Sequence, residues 1–253
     1  MTELSLATWN IAAEKQEQRV GAIAEYVASK EPGITILTEL TAITALKKAL
    51  TREIGSSYSL GTVPTGSPYE DSLGVLVTDL NSELLEEVEA IGTGGKKMPY
   101  FMRAVLSTPL GGITMAAMRG AYVSGKGGLL TTGSGERKVQ YRMAIDVLED
   151  GEGIALIGGD MNSPARTRDP VFTAAGYQRL TGEEMTWPDR LGIKATTKDA
   201  QILAMPFMLL GNGSSIDAIY GKGPIESVGS ETDASGLSDH LYTGTKIRLT
   251  NPD

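Results

Sequence analysis

The chain has no cysteine and one histidine in 253 residues. The first absence excludes disulfides, thiolate metal sites and cysteine nucleophiles, and leaves the compartment open. The second gives weight to the placement of His240, which follows Asp239 directly in "GLSDHLYTG" and precedes a strand-like run. No apolar run approaches the roughly 18–20 residues needed to span a bilayer. The opening "MTELSLATWN" has neither a basic n-region nor an apolar h-region, so it does not read as a secretory signal and a cytoplasmic location is expected. A basic balance is also lacking. The net charge of −8 speaks against a sequence-independent DNA coat protein and suits a site made of carboxylates and divalent cations. No repeat and no Pro- or Ser-rich linker divides the chain, so residues 1–253 are read as a single domain.

What is present is an alternation of element types. "LSLATWNI" (4–11) and "ITILTEL" (34–40) read as strands, separated by a helix over 14–29 with Val20, Ile23, Ala24 and Val27 at helical spacing. Thr41 is placed to cap a short helix to Leu50. A run of strands follows at 58–63, 72–79, 83–91, 101–109 and 112–123, of which "ELLEEVEAI" (83–91) also fits a helix. "RKVQYRMAIDVLED" (137–150) reads as a helix with Val139, Met143, Val147 and Leu148 near one face. "GIALIGGDMN" (153–162) is a buried strand running into a loop, 169–177 a short helix, and 216–221 and 240–249 closing strands. Two β-rich halves, each with helices, predict an α/β fold with a two-layered sheet core and outer helices.

Polar residues recur at the ends of the apolar runs. Asn10 follows "LATW", Glu39 follows "ITILT", Asp160 and Asn162 follow "IALIGG", Asp217 follows "SSI", and Asp239-His240 opens the last strand. One such residue is an ordinary cap or turn. Several clusters, all Asn, Asp, Glu or His, point to a shared destination, because burying such groups costs several kcal/mol unless they are paired or bind a cation. Their oxygens suit Mg²⁺ or Mn²⁺, which leave coordination positions for water and phosphate.

In this order, "TWN", "LTEL", "GGDMNSPA", "TWP…SSIDAIYG" and "LSDH" resemble the endonuclease/exonuclease/phosphatase superfamily, which includes pancreatic-type deoxyribonucleases and apurinic/apyrimidinic (AP) endonucleases. The resemblance spans residues 8 to 240. It implies a four-layer α/β sandwich, two mixed β-sheets packed face to face with outer helices, and metal-dependent hydrolysis of a phosphate ester. Carried over residue by residue, Glu39 resembles the principal metal ligand, with Asn10 beside it and Asp239 a second metal-side carboxylate. Asp160 resembles the residue that orients or deprotonates the attacking water, and Asn162 its phosphate-contacting neighbour. His240 resembles the histidine that faces the scissile phosphate, and Asp217 the acid that fixes its tautomer and charge. The implied substrate is a nucleic acid, DNA before RNA, with AP-endonuclease-like chemistry. A small-molecule or lipid-linked phosphoester and a catalytically inactive binding module are the alternatives. Neither a membrane nor a disulfide partner is expected.

The chain departs from the commoner pattern of that family. Many members carry a further histidine in an "N-T-H-L"-like strand end, and this chain has none. Tyr122 falls there, in an "A-Y-V" setting similar to that of AP endonucleases, and is a candidate phosphate contact, with Arg142 a weaker one. The basic loops "GGKKMP" (94–99) and "PARTRDP" (164–170) could flank the site, which makes Arg166 and Arg168 candidate substrate contacts. "GAYVSGKG" (120–127) nearly spells a phosphate-binding loop but has Gly127 where a hydroxyl is needed. The segment 190–213 reads as an extra core hairpin or as an apolar wedge beside the site.

Overall fold

The computed structural model of the chain describes residues 3–30, 33–64, 72–78, 85–91, 101–120, 134–149, 153–187 and 215–250. Tyr122, the loops 94–99 and 121–127, and the segment 190–213 lie outside them. Among the described residues, twelve strands and four helices run in the order β1 (Glu3–Asn10), α1 (Gln16–Lys30), β2 (Ile34–Leu40), α2 (Ile43–Ile54), β3 (Tyr58–Pro64), β4 (Ser72–Thr78), β5 (Leu85–Ile91), β6 (Phe101–Thr108), β7 (Gly111–Arg119), α3 (Ser134–Glu149), β8 (Ile154–Asp160), α4 (Ala165–Ala174), β9 (Gln178–Arg179), β10 (Asp217–Lys222), β11 (Ile225–Asp233) and β12 (Tyr242–Leu249). They form two six-stranded mixed sheets, ordered β11-β12-β1-β2-β4-β3 and β5-β6-β7-β8-β10-β9. The expected four-layer α/β sandwich is what the chain adopts. No helix among the described residues is long and apolar enough to cross a membrane.

Apolar burial explains the layers. Between the sheets, Leu4, Leu6, Ile34, Ile36 and Val75 of the first meet Met102, Ala104, Met115, Leu156 and Ile219 of the second. Outside the first sheet, Ile23, Ala24 and Val27 of α1 and Leu46, Ala49 and Leu50 of α2 cover Ala7, Trp9 and Leu37. Outside the second, Tyr141, Ala144, Ile145 and Leu148 of α3 and Phe172 of α4 cover Ala116, Met118, Ile157 and Tyr220. Each fully buried Leu, Ile or Phe contributes about 1.5–3 kcal/mol relative to exposure.

Several local expectations change. The buried face of α3 is turned from the expected one, and Val139 is 46% exposed. Residues 85–91 are a strand, not a helix. The start of α2 is not capped by Thr41. The Gln16 side-chain oxygen accepts the Thr41 and Ala42 N–H groups at 2.8 Å, while the Thr41 hydroxyl donates to Ala13 O. β11 has mostly exposed Gly, Ser, Glu and Asp positions and so lacks the apolar alternation that marks a strand in sequence.

The register brings the polar strand ends to one edge of the sandwich. β1 and β2 run parallel, as do β7 and β8. Asp217, the first residue of β10, pairs with Asp160, the last of β8, in antiparallel register. β12 runs antiparallel to β1, so the loop before it returns to the same edge. The "GG" before Asp160 is needed for this packing. A Cβ on Gly158 would meet Ile36 Cδ1 of the opposite sheet at 2.5 Å, and Gly159 has φ +134° with Met118 O 1.9 Å from where a Cβ would sit.

Candidate active site

Two carboxylates stand on opposite sheets and share one amide. Asn10, 1% exposed at the end of β1, donates from Nδ2 to Glu39 Oε1 at 3.2 Å and to Asp160 Oδ2 at 3.0 Å. Its Oδ1 accepts the Ala12 N–H at 3.0 Å. Glu39 Oε2 accepts the Ala13 N–H at 3.1 Å. Glu39 sits at a β-bulge between Leu37 and Leu40 in the β2–β4 pairing and has φ 62°. A non-glycine residue in the left-handed region is strained by about 1–3 kcal/mol, and bulges re-aim side chains. Here the bulge sits where the Glu39 side chain meets β1 and the opposite sheet. Asn162 repeats the device after β8, with φ 46°. Its N–H donates to Asp160 Oδ1 at 2.9 Å and its Nδ2 to Gly120 O at 2.9 Å.

His240 meets the second pair of acids. Its Nδ1 lies 2.9 Å from Asp217 Oδ2, and both residues are buried. Asp217 Oδ1 is buried with no hydrogen-bond partner. Atoms of Asp160, Asp217 and His240 lie within 4.8 Å of one another. The loop holding His240 is pinned from the first sheet: the Ser238 hydroxyl donates to Asn10 O at 2.6 Å, and Trp9 Nε1 donates to His240 O at 3.3 Å. Asp239 is half-buried, and its Oδ2 accepts the Trp187 indole N–H at 3.2 Å.

The electrostatics divide the acids into two kinds. Burial pushes Asp160 up to about 6, with the neighbouring Asp217 charge adding to it and His240 and Arg119 opposing. Burial also acts upward on Glu39, but Arg119, His240 and the Asn10 and Ala13 hydrogen bonds outweigh it and hold Glu39 below its usual range. For His240 burial acts downward and is outweighed by Asp217, through charge and hydrogen bond, and by Asp160 and Asp239, which raise it to about 10. The imidazole is therefore cationic near neutral pH and leaves Nε2–H as its remaining donor.

Seven of the expected residues, Asn10, Glu39, Asp160, Asn162, Asp217, Asp239 and His240, meet at this edge of the sandwich. Arg168 does not belong to a surface loop. Its guanidinium is wholly buried, with Nε donating to the Tyr220 hydroxyl at 2.6 Å and Nη1 to Ser163 O and Ser215 O. Such an enclosed cation has no face left for substrate. Arg142 and Arg166 lie apart from the carboxylates, lining with Lys138, Asp146 and Glu149 a groove of about 740 Å³ between α3 and α4. Sequence reasoning missed Arg119, whose Nη2 pairs with Glu39 Oε1, because an arginine ending "ITMAAMR" reads as a solvated strand end. It also missed Arg19, whose Nη2 donates to Ala12 O at 2.8 Å and Glu14 O at 2.7 Å while Nη1 reaches Ile11 O and Leu237 O. Arg19 thus ties the turn after β1 to the loop before His240.

No family model matches the chain, and no curated protein matches it in sequence. Solved structures do. An endonuclease/exonuclease/phosphatase from Bacteroides vulgatus is similar with a TM-score of 0.72 and 13% identity, over 98% of this chain and 100% of that one. D. rerio TDP2, complexed with a single-strand DNA product, aligns with a TM-score of 0.71 and 17% identity over 98% of this chain and 100% of that one. TDP2 from C. elegans aligns with a TM-score of 0.71 and 16% identity over 97% of this chain and 75% of that one. At these identities the likeness is one of architecture, and the chain carries the endonuclease/exonuclease/phosphatase fold.

Proposed function

We propose that the chain is a metal-dependent phosphodiesterase of the endonuclease/exonuclease/phosphatase superfamily that hydrolyses DNA. The observation that carries this reading is the imidazolium of His240, fixed by Asp217, beside the raised carboxylate of Asp160 and one amide away from the depressed carboxylate of Glu39. A site of that composition takes a negatively charged ester and a water. The donor set fits a hard divalent cation. Glu39 offers a charged carboxylate, and Asp239 keeps lone pairs beyond those engaged by Trp187 and Ser238. Glu39 and Asp239 are the residues we assign to hold Mg²⁺ or Mn²⁺. Asn10, expected beside them, reaches the carboxylates through its amide nitrogen and so orders Glu39. The cation, when bound, supplies charge to neutralise the phosphate and the departing oxygen.

The remaining roles follow from the chain's own groups. Asp160 Oδ1 carries the Asn162 N–H and keeps a lone pair, so it accepts the proton as water oxygen bonds to phosphorus. A pKa near neutrality suits a general base, since the group is ionised yet basic enough to take a proton. His240 donates Nε2–H to a non-bridging oxygen as charge builds there. The P–O bond to the leaving oxygen breaks, giving a phosphomonoester and an alkoxide that takes its proton from solvent to become the alcohol. Asn162, held against Gly120 O, steadies the base. DNA as substrate is supported by the D. rerio TDP2 complex with its single-strand DNA product.

The test is hydrolysis of an abasic-site duplex, a plain single strand and bis-p-nitrophenyl phosphate, with Mg²⁺ or Mn²⁺ and with chelator. The reading expects cation-dependent cleavage of at least one DNA substrate and its loss in Asp160→Asn. Turnover of the small ester alone would shift the substrate to small phosphoesters. No turnover of any would leave the fold as a binding module.

A further inference from the structure

Arg119 ends β7, opposite Asp160 in the parallel β7–β8 register. Its guanidinium crosses from the second sheet to Oε1 of Glu39 in the first. The two side chains are 14% and 19% exposed, so the pair lies at the mouth of the site and one side of it is open. Glu39 Oε1 thus already carries Arg119 and the Asn10 amide, and Oε2 carries the Ala13 N–H. The carboxylate assigned to the divalent cation is neutralised by a cation of the chain itself.

A guanidinium and a divalent ion on the same carboxylate repel each other, so a cation that binds Glu39 competes with Arg119. One has to give way. The planar fork of arginine matches phosphate as well as carboxylate, so a second acceptor of the same geometry becomes available when the substrate enters. Arg119 also acts electrostatically on Asp160 as well as on Glu39.

We propose that Arg119 is an exchangeable counter-ion, which holds Glu39 in place until the divalent cation binds and then passes to a non-bridging oxygen of the substrate phosphate. The inference rests on the phosphodiesterase reading and deepens it by adding a substrate contact that competes with the metal. It has a consequence that a purely structural brace would not have: removing Arg119 should strengthen cation binding while weakening phosphate binding.

The experiment is calorimetric titration of Mg²⁺ into the wild-type protein, Arg119→Gln and Glu39→Gln, each checked by thermal melting, followed by titration of inorganic phosphate into the Mg²⁺-loaded proteins. Arg119→Met, which keeps an apolar stem without charge, replaces Arg119→Gln should that variant not fold. The expected result is Mg²⁺ bound about tenfold more tightly without Arg119, equivalent to ~1.4 kcal/mol, and phosphate bound at least about tenfold more weakly. Folded Arg119 variants that bind Mg²⁺ no more tightly than wild type overturn the exchange while leaving the metal site standing. A wild-type protein that takes up no Mg²⁺, or takes it up equally well as Glu39→Gln, removes the metal site and the exchange with it.

Discussion

Glu39 shows how much of a site's work falls on one residue's backbone. Its carboxylate is reached by Asn10, Ala13 and Arg119, and its φ of 62° is strained to allow this. In sequence, "LTEL" marks Glu39 only as a polar residue closing an apolar run. The bulge that turns it arises from pairing with β4 and is invisible in the residue pattern. Glu39→Gln keeps the shape but removes the charge, and its single carbonyl oxygen can accept from Asn10 or from Ala13 but not from both. We expect a folded protein with Mg²⁺ or Mn²⁺ affinity reduced at least about tenfold and hydrolysis suppressed by orders of magnitude, since charge neutralisation at phosphate is the larger part of such catalysis. Calorimetry on the folded variant checks this, and unchanged affinity would remove Glu39 from the metal site.

At the scale of elements, the loops after β1 and β8 are each locked by a buried arginine. Arg19, on α1, clamps carbonyls of the first loop. Arg168, on α4, clamps Ser163 and Ser215, the residues beside Asn162 and two before Asp217. Arg19 reads in sequence as an ordinary charge and Arg168 as a candidate substrate contact, because burial of a long cation depends on carbonyls that converge only after the loops fold. The strands themselves were legible from their apolar runs, and so were the polar residues ending them. The exceptions have physical reasons: β11 is an exposed edge strand of Gly, Ser and acidic residues, and α3 turns Tyr141 rather than Val139 inward, where its hydroxyl donates to Met161 O at 2.8 Å. We predict that Arg168→Met, by orphaning the Ser163 and Ser215 carbonyls, costs about 3 kcal/mol. That should lower the melting temperature by roughly 6–12 °C. A melting temperature within a degree of wild type would show that the clamp is dispensable.

For the whole molecule, the two sheets supply different parts of the site. Glu39 and Asn10 come from the first, Asp160 and Asp217 from the second, and His240 from the loop that enters β12. Their convergence was legible only through the order of motifs, since no spacing in the sequence says which strand ends share an edge. The net charge of −8 also means that a polyanion must be met locally. Arg142 and Arg166 line the α3–α4 groove, apart from the site carboxylates, and their removal tests whether a polyanion extends that far. Replacing both by alanine should raise KM for an oligonucleotide and make its log-affinity slope against salt shallower by about 1–2, while sparing bis-p-nitrophenyl phosphate. Equal losses on both substrates would mean that these arginines act on folding or chemistry.

The claim that the halves build one charged site is read most directly at His240, because the chain's only imidazole gives an unambiguous NMR signal. Its proton is held by Asp217, Asp160 and Asp239, that is, by β10, β8 and the loop before β12. In the metal-free protein the ring should titrate near 10 rather than near the ordinary 6.5, and Asp217→Asn should bring the midpoint down. A raised folded-state pKa stabilises fully below about 6.5, and the contribution is lost as pH rises through about 10. A midpoint near 6.5 that ignores Asp217→Asn would contradict the account, because His240 would then be an ordinary turn histidine and the carboxylates around it would not form one site.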